Sequence, residues 1–77
     1  MWQEKDKALV REFKFADFKS ALGFVNKVGE LAEAANHHPD IQLGWGKVVI
    51  TLTTHSEGGV TDKDRQLAEK IDGLWQA

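Results

Sequence analysis

The sequence is short of several residue types that would mark particular classes of protein. Its 77 residues include no cysteine, so the chain can form neither a disulfide nor a thiolate metal site. It contains no apolar run close to the roughly 20 residues that a membrane-spanning helix needs, and no segment resembles a signal peptide. We therefore expect a cytosolic protein that has no membrane partner.

An excess of basic charge is also missing. Ten Lys and Arg residues stand against 12 Asp and Glu residues, giving a formal net charge of −2. Direct nucleic-acid binding is not expected, because it usually needs a basic face that displaces counterions. The hydrophobic fraction of 42% is that of an ordinary globular protein. At this length we expect one domain over residues 1–77, with a thin core that oligomerisation would help to stabilise.

The first quarter of the sequence has the period of a β-strand. Apolar and polar residues alternate from 8 to 15, which predicts a strand with one face on a core. Arg11 intrudes on the apolar face of Leu9, Phe13 and Phe15. A short partner strand carrying Trp2 is expected before it, with Lys5–Asp6–Lys7 as the turn.

From Ala16 the period changes to three or four residues, which predicts an amphipathic helix. Asp17 is expected in its first turn, where a negative charge suits the helix dipole. The helix should end near Ala35, because Pro39 disfavours helical geometry at His38. The expected buried positions are Phe18, Ala21, Leu22, Val25, Val28, Leu31, Ala32 and Ala35.

The second half of the sequence predicts a hairpin and a closing helix. Ile41, Leu43 and Trp45 alternate, as do Val48, Ile50 and Leu52, and Gly46 between the two runs is expected to supply a positive φ. The stretch SEGGV predicts a flexible loop. Thr61 and Asp64 then form a pair like a capping box. The buried stripe of the last helix is predicted at Leu67, Ala68, Ile71, Leu74 and Trp75.

The element order is therefore strand, strand, helix, strand, strand, helix. Tight hairpins make each strand pair antiparallel, and both helices must cover one face of the sheet. The sequence predicts an α+β fold, a two-layer sandwich with a four-stranded antiparallel sheet.

The three histidines can be interpreted in three ways. His37 and His38 follow the long helix, where imidazoles can cap open carbonyls. Three imidazoles can also bind zinc, but the sequence has neither the HxH nor the HxxxH spacing of common zinc scaffolds. A third interpretation is acid–base chemistry, because imidazole titrates near neutral pH. The hairpin returns His55 to the neighbourhood of Pro39, so all three imidazoles should meet at one end of the sheet, beside a pocket.

The spacing of these residues resembles that of the pterin-4a-carbinolamine dehydratases. The stretches FKFADFKSALGFVNKV, HHPDIQ, KVVITLTTH and GVTDKD are also similar to that family, over essentially the whole chain from Trp2. The motif consists of Glu33, three residues, His37–His38–Pro39, five residues, Trp45, nine residues, His55, eight residues and Asp64.

The resemblance implies a four-stranded sheet with helices on one side, and a specific reaction. That reaction is the dehydration of 4a-hydroxytetrahydropterin to quinonoid dihydropterin, which recycles the cofactor of aromatic amino-acid hydroxylation. It implies catalysis by His37, His38 and His55: the first and last transfer protons, and His38 mainly binds and orients the pterin. The substrate pocket would also be lined by Asn36, Thr53, Thr54 and Ser56. Neither a metal nor an organic cofactor is implied.

Three other motif positions have two interpretations each. Asp64 is explained by capping without any catalytic role, or, as the last position of the motif, it belongs to the active site; in either case it would also orient His55. Glu33 is either a solvated helix residue or a carboxylate at the pocket edge. Trp45, beside the hairpin turn, is expected to pack rather than to stack on substrate.

The resemblance leaves assembly and a second class of function open. Members of the family usually carry a helical segment before the position that matches Trp2, and this chain is expected to lack it. The family forms dimers and tetramers, so a homodimer or homotetramer is expected. Some members act as dimerisation cofactors of a homeodomain transcription factor, and others only bind pterins. The alternative is therefore a non-catalytic pterin-binding or protein-dimerisation module, which would not need the complete histidine set.

Overall fold

The structure is a computed structural model that describes residues 1–75. Two strands lead into a long helix, and two further strands lead into a short 3-10 turn and a second helix. In chain order these are β1 (Gln3–Lys5), β2 (Ala8–Lys14), α1 (Phe18–Ala35), β3 (Asp40–Gly44), β4 (Lys47–Leu52), the 3-10 turn His55–Glu57 and α2 (Asp62–Leu74). The predicted order of elements is confirmed.

The four strands form one antiparallel sheet in the order β1-β2-β4-β3. Leu9 pairs with Leu52 and Phe13 pairs with Val48, so the apolar positions of the two central strands share one face. Both helices contribute buried side chains to the core on that face. The fold is therefore the predicted α+β sandwich of a sheet and two helices.

The turn between β1 and β2 is tighter than predicted. Lys5 belongs to β1 and pairs with Ala8, so only Asp6 and Lys7 form the loop. Both have positive φ, 52° and 66°, as a two-residue turn that follows the twist of a hairpin requires.

The turn between β3 and β4 uses its glycine for a different reason from the one predicted. Gly46 does not have a positive φ. A β-carbon at this position would lie 2.8 Å from the carbonyl oxygen of Phe15, and the Phe15 N–H donates to the Gly46 carbonyl oxygen at 2.8 Å. Close approach of two backbones therefore requires glycine here. Trp45, in the same turn, is 71% exposed, so the prediction that it packs is wrong.

Helix α1 begins two residues later than predicted. Asp17 is its N-cap and accepts a hydrogen bond from the Ser20 N–H at 2.8 Å. The pKa of Asp17 lies below its ordinary value because the Ser20 backbone N–H and then its hydroxyl stabilise the carboxylate. The expected buried stripe is partly wrong, since Phe18 is 45% and Leu22 39% exposed, and Ala35 is exposed as well. The buried positions of the helix are Ala21, Phe24, Val28 and Ala32.

Arg11 faces the core from β2 and is held by aromatic rings and a carboxylate. Its guanidinium carbon lies 4.5 Å from the centroid of the Phe13 ring and 4.9 Å from that of Trp75. Its Nη1 donates to Asp72 Oδ1 at 2.7 Å, and Trp2 Nε1 donates to the same oxygen at 2.8 Å. These contacts connect the C-terminal part of α2 with β2 and with Trp2, just before β1. They account for a charged residue on an apolar face.

The stretch SEGGV, predicted as a flexible loop, is a closed turn. Gly58 has a φ of 74°, which favours glycine. Thr54 and Gly59 exchange two backbone hydrogen bonds of 3.0 and 3.2 Å across the turn. The turn delivers the chain to Thr61, which begins α2 in the predicted capping box with Asp64.

Candidate active site

The register of the sheet brings the segments that carry the histidines to one end of the molecule. Asp40, at the start of β3, pairs with Thr51, next to the end of β4. His37 and His38 lie just before β3, separated from it by Pro39, and His55 begins the 3-10 turn, separated from the end of β4 by two residues. The start of α2 lies at the same end, because Asp64 contacts both His37 and Thr54.

The backbone, and not the imidazoles, caps the C-terminus of α1. Asn36 is left-handed, with φ 51° and ψ 42°, and its N–H contacts the carbonyl oxygens of Ala32 and Glu33. The His37 N–H donates to the Ala32 carbonyl oxygen at 3.1 Å. The rings of both histidines are therefore free for other partners, and each meets a carboxylate.

His37 is paired with a buried carboxylate. Its Nε2 lies 2.5 Å from Asp64 Oδ1. Asp64 is 0% exposed, whereas the side chain of His37 is 13% exposed. An ionised carboxylate can only accept hydrogen bonds, so the Nε2–H donates and the Nδ1 atom is left for another partner.

The other oxygen of Asp64 has two donors of its own. Asp64 Oδ2 accepts from the Thr61 N–H at 2.9 Å and from Thr54 Oγ1 at 2.8 Å. Burial alone would raise the pKa of Asp64, but the hydrogen bonds from His37, Thr61 and Thr54 outweigh it and hold this pKa below its ordinary value. The Asp64 side chain is thus a buried carboxylate anion. It provides the His37 imidazole with a hydrogen-bond acceptor in a fixed position.

His38 lies nearer to solvent than His37. Its Nε2 is in hydrogen-bond contact with Glu33 Oε2, one turn back on α1, and both side chains are more than half exposed. An exposed pair of this kind contributes little to stability. It leaves His38 accessible to a ligand, with Glu33 at its edge.

The remaining predicted site residues surround the 3-10 turn. His55 and Ser56 are exposed in the turn itself. Thr53 is half-buried, and its Oγ1 donates to the Lys7 carbonyl oxygen at 2.8 Å. Thr54 is 5% exposed, so its hydroxyl lies behind the surface, against Asp64, and not at the rim where it was expected.

Two surface cavities lie elsewhere on the molecule. One of about 710 Å³ lies beside Phe15, Phe24 and Leu74, and one of about 420 Å³ lies beside Trp2, Leu9 and Asp72. Neither is lined by a histidine, so neither is the pocket that the sequence predicts. Within residues 1–75, no three His, Asp or Glu side chains are grouped so as to hold a metal ion. In the same range, no helix has the length and apolar character to cross a membrane.

Sequence reasoning found the histidines but assigned the carboxylate a different partner. Asp64 was expected to orient His55, whereas it contacts His37. The hydrogen bonds of the Thr54 hydroxyl with Asp64 and Thr61 were not predicted, whereas the bond from the Thr61 N–H to Asp64 belongs to the predicted capping box. One signal could have shown the role of Thr54: it is in phase with the buried Ile50 and Leu52, so it is a polar residue on the inward face and needs an internal partner.

Comparison with known proteins places this geometry in a family. The chain matches the family described as pterin 4 alpha carbinolamine dehydratase over residues 1–74. A relative from Metallosphaera sedula, provisionally named as that enzyme, is 49% identical over 73 residues, which are 95% of this chain and 76% of the relative. A relative of the same name from Mycolicibacterium vanbaalenii is 51% identical over 73 residues, covering 95% and 78%.

Two solved structures are also similar. The crystal structure of a transcriptional coactivator/pterin dehydratase from Brucella melitensis has a TM-score of 0.90 and 41% identity, over 95% of this chain and 80% of that one. A pterin dehydratase-like protein identified as a RuBisCO assembly factor in the alpha-carboxysome has a TM-score of 0.78 and 27% identity, covering 96% and 86%. By its sequence and its fold, this chain belongs to the pterin 4 alpha carbinolamine dehydratase family.

Proposed function

We propose that the protein is a hydro-lyase that dehydrates 4a-hydroxytetrahydropterin to quinonoid dihydropterin during pterin recycling. The observation that carries the proposal is the pairing of His37 with the buried Asp64, at the end of the sheet that also holds His38 and His55. Membership of the family supplies the class of substrate.

The reaction asks for two proton transfers and no change of oxidation state. The proton on ring N5 is removed, the nitrogen electron pair forms the N5–C4a double bond, and the C4a–oxygen bond breaks. The departing hydroxyl takes a proton and leaves as water. Groups that titrate near neutral pH are suited to both transfers, so histidines alone meet the requirement.

Each histidine has a role that fits its surroundings. Asp64 fixes the Nε2–H of His37, so the Nδ1 atom exchanges a proton with the pterin. His55 on the exposed turn makes the second transfer. His38, which is accessible beside Glu33, binds and orients the ring. Asn36, Thr53 and Ser56 supply further polar contacts at the rim.

The test is a stopped-flow assay of dehydration with chemically generated 4a-hydroxytetrahydropterin. His37→Ala and His55→Ala should each lower kcat by about 100-fold or more, because general acid–base catalysis contributes on that scale. Lys27→Ala, on α1 away from the histidines, is the matched control and should keep the wild-type rate. Circular dichroism checks that each variant folds. Wild-type rates in both histidine variants would refute the assignment.

A non-catalytic role is the second candidate, and the two solved relatives favour keeping it. One is described as a transcriptional coactivator as well as a pterin dehydratase, and the other as a RuBisCO assembly factor. In that case this protein would bind a pterin or a protein without chemistry. A wild-type rate no faster than the uncatalysed dehydration would favour this role.

We also propose that residues 1–77 form one domain that assembles as a homodimer or homotetramer in the cytosol. Strand β3 is an edge of the sheet, and an open edge invites pairing with another strand. Phe18 and Leu22 add an exposed apolar flank on α1. Sedimentation should give at least a dimer for the wild type and a smaller species for Phe18→Glu/Leu22→Glu. A wild-type monomer at micromolar concentration would refute the assembly, and a membrane-bound fraction would refute the location.

A further inference from the structure

The hydroxyl of Thr54 supports Asp64 from behind, and its hydrogen bonds have one direction. Thr54 Oγ1 lies 2.8 Å from Asp64 Oδ2 and 2.8 Å from Thr61 Oγ1. A threonine hydroxyl carries a single proton, and an ionised carboxylate can only accept. Thr54 therefore donates to Asp64, and the Thr61 hydroxyl donates to Thr54.

This chain of hydroxyls fixes the plane of the carboxylate. Asp64 Oδ2 receives one donor from the Thr61 backbone at 2.9 Å and one from Thr54 at 2.8 Å. With Oδ2 held twice, Oδ1 can only face His37. Donors linked in a chain polarise one another, which strengthens each bond in a buried place.

The backbone of Thr54 positions the other proton-transfer histidine. Its N–H and carbonyl oxygen pair with Gly59, and the same carbonyl oxygen accepts from the Glu57 N–H at 3.0 Å. These bonds close the turn that begins with His55. The side chain of Thr54 thus contacts Asp64, the partner of His37. Its backbone closes the turn that positions His55.

We propose that Thr54 is a positioning residue that acts on His37 through Asp64. It keeps the neutral His37 ring in the form with the proton on Nε2, so that Nδ1 is the atom that exchanges a proton with the substrate. The predicted effect of Thr54 on turnover rests on the proposed dehydratase function. Its predicted effect on which nitrogen of His37 carries the proton does not depend on that function.

The experiment combines kinetics with nitrogen NMR of the histidine rings. Thr54→Val keeps the shape of the side chain and removes the donor. Its kcat should fall about tenfold with KM within a factor of two, since a small misplacement of a reacting group is costly. Its neutral His37 ring should change from mainly Nε2–H to a mixture of both tautomers. Thr54→Ser, which restores the hydroxyl, should recover both readouts.

Two further variants control the result. Thr51→Val, a half-buried threonine of β4 three residues earlier, should change neither readout. If Thr54→Val does not fold, Thr61→Ala removes the preceding hydroxyl of the chain, and it should shift the tautomer ratio in the same direction to a smaller extent. A folded variant without the Thr54 or Thr61 hydroxyl that keeps the wild-type ratio would overturn the proposal. If the wild type shows no dehydration, the proposed function is refuted. The tautomer ratio of His37, measured by nitrogen NMR, then decides by itself whether Thr54 is a positioning residue.

Discussion

Two of the three aspartates of helix α2, Asp64 and Asp72, lie eight residues apart and have different partners. Asp72 accepts from Arg11 and Trp2 on one oxygen, at 2.7 and 2.8 Å. Asp64 accepts from His37 on one oxygen and from Thr54 and Thr61 on the other. Asp72 is 39% exposed at its side chain, whereas Asp64 is 0% exposed.

The partner decides what each carboxylate can contribute. A guanidinium does not lose its proton in a protein, so the Arg11 cluster can only hold elements together. An imidazole gains and loses a proton near neutral pH, so the partner of Asp64 can take part in a reaction. Carboxylates on one helix therefore hold a permanently charged partner at one end and a partner that can exchange a proton at the other, where we propose that proton transfer occurs.

The largest difference between the two aspartates should be in turnover. Asp64→Asn should lower kcat by about 100-fold, because an amide no longer dictates which nitrogen of His37 carries the proton. Asp72→Asn should keep kcat within a factor of two in folded protein. Stopped-flow assays of both variants measure this directly. Equal decreases of kcat in the two variants would contradict the proposed difference in role between Asp64 and Asp72.

The next largest difference should be in stability, at the arginine end. Arg11→Met should lower the free energy of unfolding by about 2 kcal/mol, because it removes a charged hydrogen bond and the stacked guanidinium. Arg65→Met is the matched control, since Arg65 and Glu4 are 3.2 Å apart and both more than half exposed. It should cost less than about 0.5 kcal/mol. Urea unfolding checks both values, and similar costs would contradict the account of Arg11.

The smallest effect should be in the acid dependence of stability. The folded pKa of Asp64 lies below its ordinary value, so the unfolded state binds the proton first as pH falls. The stabilisation is complete above the ordinary value of about 3.9 and is lost as pH falls from there through the folded pKa. Asp64→Asn should flatten the fall of unfolding free energy in this window. Parallel curves for wild type and variant would show that Asp64 contributes nothing to it.

The sequence predicted the elements and the sheet because period two and period 3.6 are strong signals in a chain this short. It did not predict which flank of α1 would be covered. Periodicity marks an apolar side, but the position of the neighbouring elements decides that Phe24 is buried while Phe18 and Leu22 remain exposed. The role of Gly46 was also predicted wrongly, because its constraint is the close approach of the Phe15 backbone, just after β2.

At the site, the order of elements predicted that the three histidines lie at one end of the sheet. It did not predict which side chain each histidine contacts. Both His37 and His55 are candidates for Asp64 when only the order of elements is known. The choice depends on how α2 packs against the end of α1, which is a tertiary property. The alternation of β4 marks Thr54 as an inward-facing polar residue. The partner of its hydroxyl, Asp64, is known only from the tertiary structure.

The central claim is that the histidine end, and not the arginine end, meets the pterin. A titration of isotope-labelled protein with a stable reduced pterin, followed by NMR, tests it most directly. The largest shifts are predicted at the rings of His37, His38 and His55 and at the amides of residues 53–57, while the Trp2 indole N–H should not move. Shifts centred on Trp2 and Arg11, or no shifts at millimolar pterin, would contradict the account.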